Sequence, residues 1–147
     1  MMWKQWSVAG LVLLATAVSS PAGQAKPATD ATSPSTSRLT VVEIRSYNLK
    51  PGTRDHFHRL FLEQALPMLK RWKVDVVAYG VSLHDKDSYY LMRAFPSVED
   101  RQKSEDAFYG SDEWKQGPRE AILAAIDSYT TVVINADAAL LGSLRKR

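Results

Sequence analysis

Between Leu39 and Trp72 an alternating strand, a Pro-Gly turn and a long helical stripe follow one another without a gap. In "VVEIRSYNLKPGT" (Val41–Thr53) Val42 and Ile44 fall on one face and Glu43, Arg45 and Tyr47 on the other, the period of two that a strand imposes. Pro51-Gly52 ends the strand and Thr53 is a candidate N-cap. Phe57, Leu60, Phe61, Ala65, Met68 and Trp72 then recur at helical spacing, which predicts an amphipathic helix of about five turns. Pro67 lies within that stripe and removes a backbone donor, so a kink or local break is expected there. Helix and strand each have one apolar side, and each needs a further layer to cover it.

The following residues supply that layer. Val74–Leu83 and Tyr89–Phe95 read as strands joined through "HDKD" as a hairpin. Ser97 followed by Asp100 imitates a capping box and starts a helix toward Tyr109, although its apolar stripe is poor. "GSDEWKQGP" makes an irregular or single-turn piece, Pro118 opens a helix through Ile126, and Ser128–Asn135 is a fourth strand. The order βαββαβ is the α+β, ferredoxin-like plan: a four-stranded antiparallel sheet with helices on one face. "DAALLGSLRKR" (137–147) is left as a C-terminal tail.

With 147 residues the chain suits one domain of ordinary core size. Residues 1–25 have the parts of a secretory signal: Lys4, an apolar run Val8–Val18, and the small residues Gly23 and Ala25 before a cut that leaves Lys26 first. The run is far shorter than the ~20 residues that span a bilayer, so an exported protein, periplasmic or secreted, with no stable membrane anchor after cleavage is expected. Lys26–Ser37 is rich in Pro, Ser, Thr and Ala and reads as a disordered linker before a domain at 38–136. No cysteine is present, which excludes disulfides, thiolate metal sites and cysteine nucleophiles. A formal charge of +3 is too small to argue for nucleic acid.

"VEIRSYNLKPG" resembles the opening of the NIPSNAP domain, whose first strand typically reads Glu-Leu-Arg-x-Tyr before a Pro-Gly and a long helix. "AYGVS", "RAFPSVEDR" and "SDEW" follow in the order and at about the spacing of that family's later motifs, and the resemblance covers Leu39–Asn135. Where the family often has a Trp two residues before the end of its third strand, this chain has Arg93. The resemblance implies a dimeric α/β-barrel, in which two sheets face one another. The residues point the same way: helices cover one face of the sheet, and the other face is expected to expose Tyr47, Tyr89, Leu91 and Phe95, an apolar patch that a second copy would cover.

In the ferredoxin-like strand order 4-1-3-2, Glu43, Arg45 and Tyr47 share a face with Arg93. On this reading they line the interior between the two sheets, where unpaired charge is expensive. One interpretation is a structural Glu-Arg network that fixes the dimer register. The other rests on the count, since one Glu against Arg45 and Arg93 leaves a guanidinium able to fork onto a ligand's carboxylate or phosphate. Tyr47, Tyr79 and Tyr89 would supply wall and hydroxyl. His56 and His58 project from opposite sides of a helix and cannot chelate one metal; His58 flanks the apolar stripe. His84 with Asp85 and Asp87 is a His/carboxylate cluster, but loops attract polar residues anyway. No cofactor and no metal is implied.

The expectation is therefore an exported NIPSNAP-like homodimer that binds a small, largely apolar molecule, with Glu43, Arg45, Tyr47, Tyr89, Arg93 and His58 as its ligand residues. The alternative is a cofactor-independent oxygenase or isomerase with Glu43 or His58 as base. A third reading is an adaptor whose interior is filled by side chains.

Overall fold

Strand β1 (Thr40–Leu49) opens a computed structural model that describes residues Thr40–Arg145, so the signal-like segment 1–25 and the linker 26–37 lie outside the described residues. Gly52, at φ +77°, makes the turn after β1 in a backbone region where a Cβ would be strained. Helix α1 (Arg54–Leu60) follows, but Thr53 does not cap it: its hydroxyl donates to the carbonyls of Lys50 (2.8 Å) and Ala125 (3.2 Å), tying the turn to a later helix instead. At Phe61–Ala65 the helix widens into a π turn, with the Leu66 N–H bonded to the Phe61 carbonyl, before α2 (Leu66–Arg71) completes it. Pro67 accounts for this: it has no N–H for the carbonyl four residues back and its ring crowds that carbonyl. The expected kink is thus one loosened turn rather than a break.

Strands β2 (Asp75–Val81) and β3 (Ser88–Phe95) form the hairpin. Helix α3 (Val98–Gly110) starts on Ser97, whose hydroxyl accepts the Asp100 N–H at 3.0 Å, as the sequence predicts. Two short helices, α4 (Asp112–Gln116) and α5 (Arg119–Ala125), lead into β4 (Ile126–Ala136). The sheet is antiparallel in the order β2-β3-β1-β4, the ferredoxin-like plan. Its register sets Glu43 opposite Arg93 and Tyr47 opposite Tyr89.

Helices α1 to α5 lie over the face that carries Glu43, Arg45, Tyr47, Tyr89, Leu91, Arg93 and Phe95. The sequence reading put these residues on the uncovered face; the structure places them under the helices, with Tyr89 only 1% exposed. Two features produce this arrangement. Phe57 and Phe61 of the long helix stack on Tyr47, Tyr79 and Tyr89 at centroid distances of 4.9–5.7 Å, and α3 brings its own charged groups to meet the strand's, so the polar stripe is no bar to burial.

The opposite face carries Val42, Val77, Ala78 and Ala94, and part of it is covered by the chain itself. Residues 138–145, read from the sequence as tail, form helix α6 (Ala138–Arg145). Asp137 starts it by accepting the Leu140 N–H at 2.8 Å, Leu141 and Leu144 pack on that face, and Arg145 pairs with Asp75 of β2 at 2.5 Å. The half of the face nearer β4 stays open, with Val132 and Ile134 exposed beside half-buried Ile44 and Met92.

Candidate functional site

Alternation along β1 aims Glu43 and Arg45 at the helices, register adds Arg93 from β3, and one side of α3 supplies Arg101, Glu105 and Tyr109. Arg101 and Glu105 are four apart and share a helix side, so both reach the same strand groups. Arg45 reaches Glu105 at 2.8 Å and Glu43 at 3.2 Å. Arg93 bonds both carboxylates, and Arg101 closes the cluster onto Glu43 and, at 2.8 Å, onto Glu105. The Tyr109 hydroxyl accepts from Arg45 (3.0 Å) and from Arg93 (3.2 Å).

Glu43 is fully enclosed and Arg93 is 1% exposed, so the cluster stands where water cannot screen it. Burial alone would raise the Glu43 carboxyl, yet the guanidinium groups of Arg93 and Arg45 outweigh it and hold Glu43 below the usual carboxylate range. Glu105 goes the other way: burial and the neighbouring Glu43 carboxylate push it up against the pull of Arg93 and Arg45. Three guanidinium groups face two carboxylates, and the Nε–H groups of Arg45 and Arg93 are buried with no acceptor among the described residues.

The single Glu with a spare Arg expected from the strands alone is thus a five-member network, and Arg101 and Glu105 are the residues that reading missed. Their signal was present in the poor apolar stripe of the second helix: Arg101, Glu105 and Phe108 recur at three- and four-residue spacing, a stripe that is partly ionic.

Beside the network opens a cleft of about 460 Å³ between α3, α4, α5 and β4. The buried Arg45 and Glu105, with Tyr109, form its polar floor, and Tyr47, Trp114, Ile122, Leu123, Ile126 and Tyr129 supply its apolar and aromatic lining, with Arg119, Gln102 and Asp106 also on it. The Arg45 guanidinium lies 5.2 Å from the Tyr129 ring and 5.8 Å from that of Tyr109. Behind Trp114 and Tyr109 lies a second, smaller cavity of about 30 Å³, bounded by Phe57, Phe61 and Phe108.

Of the sequence-predicted residues, Arg45 and Tyr47 reach the cleft, while Glu43 and Arg93 stand behind its floor. Tyr89 and His58 do not line it; the His58 Nδ1 instead meets the Tyr89 hydroxyl at 2.9 Å within the core. The phenol that His58 meets packs against the rings of Phe57 and Phe61. Glu43 is absent from the cleft lining as well, being 0% exposed beneath it. In the β2–β3 loop Asp85 and Asp87 are engaged in turns, accepting the N–H groups of Asp87 and Gly52, and no group of three or more His, Asp or Glu among the described residues could hold a metal ion.

The opposed shifts predict a pH signature. Glu105, with its folded pKa above the ordinary 4.5, contributes stability that is present below 4.5 and lost as pH rises through the folded value. Glu43, with its folded pKa lowered, contributes stability that is present above 4.5 and lost only as pH falls through its folded value. Relative to Glu105→Gln, the wild type should therefore lose stability as pH rises from 4.5 toward neutrality. Thermal unfolding of both proteins across that range checks the sign, and a constant difference would contradict it.

A NIPSNAP family model matches residues 42–134. No curated protein matches the chain. Among solved structures, a NIPSNAP-like domain protein from Burkholderia xenovorans superposes with a TM-score of 0.63 at 16% identity, covering 69% of this chain and 88% of that one. A NIPSNAP family protein from Agrobacterium tumefaciens gives 0.62 at 19% identity, covering 68% and 90%. A protein from Nitrosomonas europaea, provisionally described as an antibiotic biosynthesis monooxygenase, gives 0.52 at 12% identity, covering 66% and 89%. At these identities the likeness concerns the fold.

Proposed function

Because the chain belongs to the NIPSNAP family, we propose that it is an exported homodimer that binds a small, largely apolar molecule, and that the molecule lies in the cleft between α3, α4, α5 and β4. The observation that carries this reading is the cleft itself. Its volume of about 460 Å³ falls in the ~300–1,000 Å³ of small-molecule sites, and its walls are aromatic and aliphatic over a few convergent polar groups. The floor is held rigid by the ion network, which suits a site that must keep its shape while empty.

The homodimer is supported by a surface other than the one the sequence suggests. Strand β4 is an edge strand of 11 residues with Tyr129, Val132, Val133 and Ile134 exposed, and a long apolar edge readily takes a second strand or sheet. Helix α6 covers the β2 side of the outer face, so a second copy would meet the β1–β4 side. Export rests on the segment 1–25.

A second reading, proton-transfer or oxygenase-like catalysis on an enclosed organic substrate, is favoured by one group. Glu105 lines the cleft and is pushed toward its protonated form, so it is able to give or take a proton there, whereas Glu43 and His58 are not placed to do so. The Nitrosomonas europaea protein shares the fold.

Native mass spectrometry of the protein tests the main reading. Expected are a dimer mass and an added small-molecule mass, with the adduct absent from Leu123→Trp, which fills the cleft from a half-exposed position without touching the ion network. A monomer would remove the dimer, and an adduct retained by Leu123→Trp would place the ligand elsewhere.

A further inference from the structure

We propose that the cleft selects aromatic monocarboxylates, the carboxylate seated between the Tyr109 hydroxyl and Arg119 above Arg45 and the ring system lying against Trp114 and Tyr129. This rests on the cleft being the binding site and adds the chemical class of what it takes. Three observations lead there.

The first is the Tyr109 hydroxyl. It accepts N–H groups from both Arg45 and Arg93, so its oxygen is already occupied as an acceptor and its one proton has no acceptor among the described residues. A phenol backed by two guanidinium groups is a strengthened donor, and an anion in the cleft is what it is set to meet. The second is Arg119, which lines the cleft, is exposed, and forms no ion pair or hydrogen bond among the described residues.

The third is the charge balance. Around the floor and rim stand the cations Arg45, Arg93, Arg101 and Arg119 and the carboxylates Glu43, Glu105 and Asp106, the last already accepting from Gln102 at 2.8 Å. With Glu105 ionised, the four cations against three carboxylates leave a surplus of one positive charge in a partly desolvated place. A carboxylate matches it; a phosphate monoester, with a charge nearer two, overshoots it. A carboxylate also has the two oxygens needed to meet the phenol and a guanidinium together. The body follows from the walls. Trp114 and Tyr109 pack edge to face at 5.4 Å, and the exposed Tyr129 presents its ring beside Arg45, so the cleft offers aromatic surface to a flat molecule.

Isothermal titration with 2-naphthoate and with its neutral isostere 2-naphthamide tests the assignment, using wild type and Arg119→Gln. Wild type should bind the carboxylate at least about tenfold more tightly than the amide, since a hydrogen bond to a charged group is worth that much. In Arg119→Gln that preference should fall to near unity. Equal affinity of wild type for both compounds would overturn the carboxylate assignment and leave the cleft as an apolar site. Failure of both to bind would overturn the cleft reading and this inference with it. A preference that survives in Arg119→Gln would place the head away from Arg119 and reject the seat described.

Discussion

Replacing Arg93 by alanine is expected to destabilise the domain by about 3–5 kcal/mol, because it leaves two carboxylates buried side by side with one of their cations gone. Glu43 is wholly enclosed and Glu105 nearly so, and Arg93 bonds to both. Arg45 and Arg101 remain, but each is engaged at another edge of the same pair and cannot occupy the vacated space. Urea unfolding of wild type and variant measures the loss, and a cost below about 1 kcal/mol would mean that the cluster is solvated in a way its burial does not suggest. The network also changes what a double replacement should do. If Glu43 and Arg45 formed an isolated pair, exchanging both for apolar residues would be near neutral. Here the exchange leaves Arg93 and Arg101 with Glu105 as their sole carboxylate, so Glu43→Leu/Arg45→Met should remain strongly destabilising.

Trp114→Ala should cost a comparable ~3–5 kcal/mol and should also remodel the site. The indole packs against Phe108 and Tyr109 at 5.4 Å from each, and it belongs to the lining of both the cleft and the small cavity behind it. Its loss removes a buried ring and merges the two spaces into one larger pocket. The variant is expected to be less stable in urea and to accept ligands longer than the wild-type cleft admits. Stability within about 1 kcal/mol of wild type would show that the neighbouring aromatics collapse into the gap.

Much of the fold is legible in the residues because its elements announce themselves locally. The alternation of Val42 to Tyr47, the stripe from Phe57 to Trp72 and the Ser97–Asp100 start of α3 each depend on neighbours only a few residues away, and the βαββαβ order follows from them. Which sheet face the helices cover is a different kind of question. A stripe with Glu43, Arg45 and Arg93 reads as the less apolar side, and only the arrival of Glu105, Arg101 and Tyr109 from α3, about 60 residues along the chain from β1, makes its burial affordable. That partner set is non-local, and α3 conceals it by lacking an apolar stripe. Helix α6 was hidden for a similar reason, since its few leucines acquire a face only against β2 and the outer side of the sheet. Of the site, Arg45 and Tyr47 could be read from β1, whereas Trp114, Arg119 and Tyr129 become neighbours only once α4, α5 and β4 have folded together.

If the cleft takes up a small molecule above the buried ion network, as proposed, the residues of its lining should report the uptake together. The most direct measurement is a ¹⁵N correlation spectrum recorded during titration with 2-naphthamide, observing the arginine Nε–H and tryptophan indole signals together with the backbone. The Nε–H groups of Arg45 and Arg93 are buried and should exchange slowly enough to be seen. The account predicts that the Arg45 Nε–H, the Trp114 indole and the backbone amides of Leu123 and Tyr129 shift together and saturably, while the β2–β3 loop and α6 stay unmoved. Shifts confined to other surfaces, with Arg45 and Trp114 unchanged at saturation, would contradict it.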